Sequence, residues 1–292
     1  MTIGPVWDAN EVWLITAGGA MFASFPYWYA TLFSGYYLIL LIILFGLIIR
    51  GVSFEFRNRV APEKKHIWDT TLALGSFIPP FFFGILFISM IKGMPINAQG
   101  NINAGFFDYI NWFSVVGGVA LTLLVYLHGL NYIALKTTKE MSMRARNYAQ
   151  FLYWVLYVGV VVFALLLIFQ TDFFRHNFVG TLICVLALVI FAVLAHYATF
   201  KNKQVMAFVC SGLTLVSLVA MIFVGLFPRV MISSIKPAYD LMIKSASSSE
   251  YTLTVMTIAT CILLPIILIY TIFAYWIFHK RISGPRVGVQ NG

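Results

Sequence analysis

The sequence predicts an all-α, polytopic membrane protein, and three observations carry that prediction. Hydrophobic residues make up 61% of the 292-residue chain and charged residues 10%, against roughly 25% charged in a soluble domain. Eight apolar runs are each long enough to cross a bilayer as a helix of about 20 residues. Those runs lack the period-2 alternation of barrel strands, so helices must satisfy the backbone. The mean hydropathy of +0.90 leaves little room for a soluble domain. The net charge of +9 raises the question of nucleic acid. Its Lys and Arg residues fall in short clusters between apolar runs, however, so no nucleic-acid partner is expected.

The runs lie at about 8–29, 34–52, 67–92, 107–135, 148–170, 177–199, 205–228 and 252–279. The first opens with Trp7-Asp8-Ala9-Asn10-Glu11, contains Gly18-Gly19 and meets Pro26. It reads either as a crossing or as a re-entrant helix. Its small residues from Ala17 to Ser24 would let another helix approach closely. The second run ends in the polar segment from Arg50 to Arg57. Pro79-Pro80 in the third run and Pro265 in the eighth should each kink a helix. Gly117-Gly118 in the fourth has no strand before it, so it reads as close helix packing rather than a phosphate loop. Residues 93–106 and 229–251 are the polar loops of one side. Together the runs make one integral-membrane domain, expected as two helical bundles at approximately 1–136 and 137–292.

Cations orient the runs. Fourteen Lys and Arg residues, including Arg286, fall after the second, fourth, sixth and eighth runs, and five fall on the other side. The positive-inside rule then puts the chain start and the C-terminus in the cytoplasm. That distribution also favours a crossing for the first run. No cleavable signal peptide is visible. Cys184, Cys210 and Cys261 sit in apolar runs without metal spacing and read as buried small hydrophobes. The seven tryptophans fall mostly near run ends, as an interfacial belt does. His66, His176 and His279 lie at run ends. His128 and His196 lie within runs but in no repeated small-residue context, so hydrogen-bonded histidines are expected rather than a haem pair. No Cys pair, His-x-x-x-His or Glu-x-x-His occurs, and no metal site is expected.

The candidate site is the acidic start of the first run. From Val12 to Ile49 there are 38 residues without a charged side chain, and Asp8 and Glu11 stand at the mouth of that stretch. A spacing of i, i+3 puts both on one helix face. Carboxylates near membrane depth persist mostly for a partner, an ion or a proton. Two readings stay open: a helix N-terminus stabilised by the macrodipole, or a proton path in which Asp8 is the sensitive acid and Glu11 its helper. Arg50, at the far end of the uncharged stretch, is the third candidate. Its segment reads equally as an anchor with internal ion pairs.

These segments resemble a known family. Gly4-Pro5-Val6-Trp7-Asp8-Ala9-Asn10-Glu11-Val12-Trp13-Leu14, Thr16-Ala17-Gly18-Gly19-Ala20, Phe33-Ser34-Gly35-Tyr36-Tyr37, Arg50–Arg57, Gly75-Ser76-Phe77-Ile78-Pro79-Pro80 and Gly225-Leu226-Phe227-Pro228 are similar to subunit II of cytochrome bd quinol oxidases. The likeness runs in order along nearly the whole chain. It departs at Ala9, where the family has Gly. It departs also at the start, where the family has one further helix, so nine spans are expected in the full-length family and the chain reads as N-terminally truncated.

The resemblance implies a scaffold subunit of a quinol:O2 oxidoreductase in a bacterial plasma membrane. Haems b and d and the quinol-binding loop would belong to subunit I, the expected partner, with no cofactor or metal site in this chain. A bound structural quinone and a small single-helix subunit are left open as further components. Family acids matching Asp8, and the residue matching Arg50, are associated with proton delivery or haem-site integrity, which makes Asp8, Glu11 and Arg50 the expected proton-pathway residues. The alternative from another class is a standalone proton- or cation-coupled transporter, although the paired broken helices of an inverted repeat are not seen.

Overall fold

A computed structural model describes residues 3–4, 6–278 and 280–281. Pro5, His279 and Arg286, named above, lie outside them. The chain starts with α1 (Trp7–Ser24), α2 (Pro26–Gly35) and α3 (Tyr37–Phe56). A single turn then leads into α4 (Lys65–Lys92), followed by α5 (Trp112–Lys136) and α6 (Lys139–Gln170). The four-residue α7 (Phe173–His176) precedes α8 (Phe178–Phe200), α9 (Gln204–Leu226), the short α10 (Ile243–Ala246) and α11 (Glu250–Ile277).

Seven of these helices, α3, α4, α5, α6, α8, α9 and α11, are long and apolar enough to cross a membrane. They correspond to seven of the eight runs. The first run divides instead. Phe25 leaves helical geometry (φ −135°, ψ 62°), and Pro26 opens α2 at its first position, where a missing N–H costs nothing. The polar first turn keeps α1 below the apolar threshold of the others. Even so, the start of α1 meets the end of α3 through Trp7–Phe54 and Glu11–Arg50, so the two helices run antiparallel. α2 joins their far ends on the loop side: Thr31 donates to Gly100 O at 2.8 Å, and Tyr109 donates to Gly35 O at 2.5 Å.

The remaining boundaries shift by a few residues, with one larger change. α6 begins nine residues ahead of its apolar run, because Lys139 to Tyr148 continue the helix in polar form. α4 continues through Pro79-Pro80 and α11 through Pro265, so the expected kinks do not interrupt either helix.

In a bilayer, lipid tails are as apolar as side chains, so helices associate by close van der Waals fit. Glycines provide it here. A Cβ on Gly84 of α4 would stand 2.5 Å from Gly117 O and Gly118 Cα of α5. A Cβ on Gly75 would stand 2.8 Å from Gly46 O of α3. Both distances are impossible, so both pairs of backbones touch directly. Two buried apolar clusters result. One surrounds Tyr36, Ile85, Phe113, Leu167 and Phe173 toward the loop side. The other surrounds Leu127, Ala149, Tyr153 and Ala195 toward the opposite end.

The 229–251 loop is more ordered than a turn-rich reading suggests. Strand β1 (Arg229–Met231) pairs antiparallel with β2 (Leu241–Met242). Arg229, 7% exposed, holds the Asp172 carboxylate with two bonds of 2.8 and 2.9 Å and lies 3.5 Å from Asp240. This trio fastens the loop to the α6–α7 junction.

Candidate functional site

α3 ends in a polar stripe. Arg50, Ser53 and Arg57 stand at i, i+3 and i+7, so they share one face. Each finds a partner on another helix. Arg50 pairs with Glu11 of α1. The Ser53 hydroxyl lies 2.8 Å from that of Thr71 on α4, and Ser53 also donates to Ile49 O at 2.6 Å. Arg57 Nε donates to Asp69 of α4 at 2.5 Å. Glu55 lies 3.6 Å from Arg59, just beyond the segment. Local pairing on this stretch therefore accounts for Glu55 and Arg59 alone; Arg50 and Arg57 reach out to other helices.

The geometry brings Glu11 and Arg50 together and leaves Asp8 apart from them. Glu11 and Arg50 are half-buried side chains, and Arg50 Nε is buried with no partner among the described residues. Asp8 is exposed on the first turn of α1 and caps nothing: no side chain makes the N-terminal cap, and the cap position is Val6. The two carboxylates share a helix, but only Glu11 is turned to α3. Trp7 seats the turn, with its ring 5.3 Å from that of Phe54 and its edge 3.5 Å from the place of a Cβ on Gly51. Asn10 Oδ1 accepts from Tyr275 of α11 at 3.1 Å. Four helices thus meet at this end: α1, α3, α4 and α11. The Ser53–Thr71 and Arg57–Asp69 contacts were not foreseen. The i, i+3, i+7 spacing of Arg50, Ser53 and Arg57 was the available signal for the stripe, though not for the partners on α4.

The histidines within the bundle are hydrogen-bonded. His128 Nδ1 lies 2.9 Å from Ser211 Oγ, and its ring stacks on Phe208. His196 Nδ1 lies 2.9 Å from Tyr157 OH, and its ring stacks on Tyr153. Behind it, Thr199 donates to Asn131 Oδ1 at 3.1 Å and Asn131 Nδ2 to Tyr153 OH at 2.9 Å. Among the described residues no three His, Cys, Asp or Glu side chains gather as metal ligands would.

An apolar cleft of about 90 Å³ lies among α4, α5, α6, α8 and α9, bordered by Ile88, Leu124, Gly159, Phe163 and Leu188. Its α6 wall runs from Leu156 to Leu167, about 16 Å at the ordinary helical rise. No atom lies within 4 Å of where a Cβ of Gly159 would stand.

A multi-pass helical membrane protein with a charged first turn on α1 is the class defined by this architecture. Residues 1–278 match the model of the cytochrome bd terminal oxidase subunit II family, and the chain belongs to that family. The chain is 47% identical over 283 residues to the cytochrome bd ubiquinol oxidase subunit 2 of Bacillus subtilis, covering 97% of this chain and 84% of that one. It is 33% identical over 316 aligned positions to the cytochrome bd-I ubiquinol oxidase subunit 2 of Escherichia coli K12, covering 97% and 83%. A probable cytochrome oxidase subunit 2 of Haemophilus influenzae is 33% identical over 307, covering 94% and 81%. The chain is therefore a subunit of an oxidoreductase complex, which decides against the standalone transporter.

Proposed function

We propose that this chain is the non-haem scaffold of a quinol:O2 oxidase, that it stabilises a haem-bearing subunit I, and that Asp8, Glu11 and Arg50 contribute to proton delivery. The observation that carries the proton reading is the Glu11–Arg50 pair. It spans the uncharged stretch of sequence and puts a carboxylate in contact with α3 at a membrane end, with Asp8 one turn away on the exposed side. Asp8 is positioned to exchange protons with water, and Glu11 to receive them beside a fixed cation. Haems b and d would sit in subunit I, and quinol oxidation would supply the electrons.

The surface for subunit I is best sought on α11 and α1. Neither helix buries a single residue, and α11 packs mainly on α1. A small single-helix subunit would use the same kind of face. A structural quinone would find an apolar lining at the cleft beside Gly159, with most of its tail outside the cleft. The two bundles, about 1–136 and 137–292, would form the scaffold. The fourteen-to-five distribution of cations supports a bacterial cell membrane protein with both ends cytoplasmic.

The test is oxygen consumption by the assembled oxidase carrying Asp8→Asn. Lowered turnover with an unchanged haem spectrum supports proton delivery. A changed haem spectrum supports a structural role, and wild-type turnover removes Asp8 from the path.

A further inference from the structure

The membrane end at which α1 begins is electrically lopsided. Its first half carries Arg50, Arg57, Arg59, Lys64 and Lys65 against Asp8, Glu11, Glu55, Glu63 and Asp69, five of each sign. Three of those cations are in ion pairs. The second half is different. The α5–α6 turn and the start of α6 carry Lys136, Lys139, Arg144 and Arg146 with one acid, Glu140. The α8–α9 turn adds Lys201 and Lys203, and the chain beyond α11 adds Lys280 and Arg281. That is eight cations to one acid. A topology signal does not require this asymmetry, since Lys and Arg orient a chain whether or not acids neutralise them.

The fold gathers these cations. Gln204 Nε2 donates to Ser142 Oγ at 3.0 Å, tying α9 to α6, and Arg281 donates to Gln204 Oε1 at 2.5 Å. Lys136 Nζ donates to Phe278 O at 2.5 Å, tying α5 to the end of α11. Only Arg144 is engaged by the local acid. Arg146 is half-buried, with its Nε sealed from water and no partner among the described residues. Exposed Met143, Tyr148, Phe151, Phe200 and Val205 stand between the cations. Alternating cations and bare apolar side chains at helix ends match the level where lipid headgroups meet acyl chains. An acidic protein segment would leave those apolar groups facing polar chain; a phospholipid answers both.

We infer that this patch binds the phosphodiester headgroups of anionic phospholipids, with Arg146 at its centre and Lys139, Lys203 and Arg281 around it. The protein is purified in its native assembly in a neutral detergent. Labelled phosphatidylglycerol and phosphatidylcholine are titrated in separate mixed micelles. Phosphatidylglycerol should bind more tightly, and added salt should narrow the gap. At about 1 kcal/mol per cation near an anionic surface, each lost charge weakens binding about five-fold. Arg146→Gln with Lys203→Gln should therefore weaken it about 25-fold, while Lys64→Gln with Lys65→Gln, in the balanced half, should leave it unchanged.

Equal binding of the two lipids by the wild-type protein overturns the inference, and that measurement stands even if the variants fail to assemble. Equal losses in the two variant pairs overturn it as well. Inorganic phosphate displacing the lipid at low millimolar concentration would make this a site for the free anion. Protection of Lys139 and Lys203 from acetylation in the lipid-stripped assembly would put a protein segment there. Either result replaces the lipid assignment.

Discussion

Glu11 and Arg50 stand 39 positions apart in sequence and in contact in the fold. The pair joins the start of α1 to the end of α3 beside the Trp7–Phe54 ring contact. Among the described residues Arg50 forms its ion pair with Glu11 alone, so the pair should be thermodynamically coupled. Glu11→Gln and Arg50→Gln, singly and together, are expected to show a coupling energy of about 1 kcal/mol, as for half-exposed ion pairs. Thermal denaturation of the assembly measures it, and additive losses would mean the two side chains act independently.

Glycine substitutions should separate folding from assembly. Gly84→Leu drives a side chain into Gly117 O, 2.5 Å from its Cβ, so the α4–α5 contact cannot form and the chain should be lost from the membrane. Gly19→Leu meets no atom within 4 Å in this chain. The variant should insert and fold normally. If α1 receives another subunit, the yield of assembled complex should still fall, because the small-residue face is blocked. Equal yields for Gly19→Leu and wild type would argue that this face of α1 meets lipid only.

Arg229 should be the costliest single charge to remove. Arg229→Ala takes the guanidinium from both Asp172 and Asp240, a loss of about 3 kcal/mol for a broken buried pair. Amide exchange in residues 229–242 should accelerate before that of the helices. Acid should have a related effect. Burial of Asp172 raises its pKa, but the hydrogen bonds and charge of Arg229, helped by His176, outweigh it and hold the carboxyl below its ordinary 3.8. A group lowered in the folded state stabilises above its unfolded pKa and loses that contribution as pH falls through the folded value. Protection of the loop should therefore be constant from neutrality to about pH 5 and decline only below about pH 4. Asp172→Asn should abolish that decline.

Tyr153→Phe removes the acceptor of Asn131 Nδ2 at the second apolar cluster. The stranded amide costs about 1–3 kcal/mol. Asn131→Leu with Tyr153→Phe should recover part of it, since removing both partners leaves nothing unpaired except the Thr199 hydroxyl, which still bonds to Ala195 O. Thermal midpoints of the wild type and the two variants test the order.

The helices were legible because bilayer spans write themselves in long apolar runs, and the largest extension beyond a run is the polar start of α6. The break at Phe25 was signalled by Pro26, which cannot donate within a helix. The direction of α2 along the loop side depends instead on Tyr109 and Gly100, which no local pattern connects to it. Asp8 and Glu11 drew notice by their rarity. That Glu11 alone turns to Arg50 is decided by the angle between two helices. The β1–β2 ribbon and the Asp172–Arg229–Asp240 trio were hidden, because short strands in a turn-rich loop are defined by partners distant in sequence.

The hydrogen bond from Tyr275 to Asn10 makes α1 and α11 neighbours. During synthesis the polar turn at Trp7–Glu11 therefore enters the membrane long before its companion exists. More than two hundred residues must be inserted before α11 arrives, and Lys136 then anchors the end of that helix from the middle of the chain. A ribosome stalled ahead of Glu250 would leave a nearly complete bundle with an unfinished seam at its acidic corner. Closure of that corner thus reports the insertion of α11.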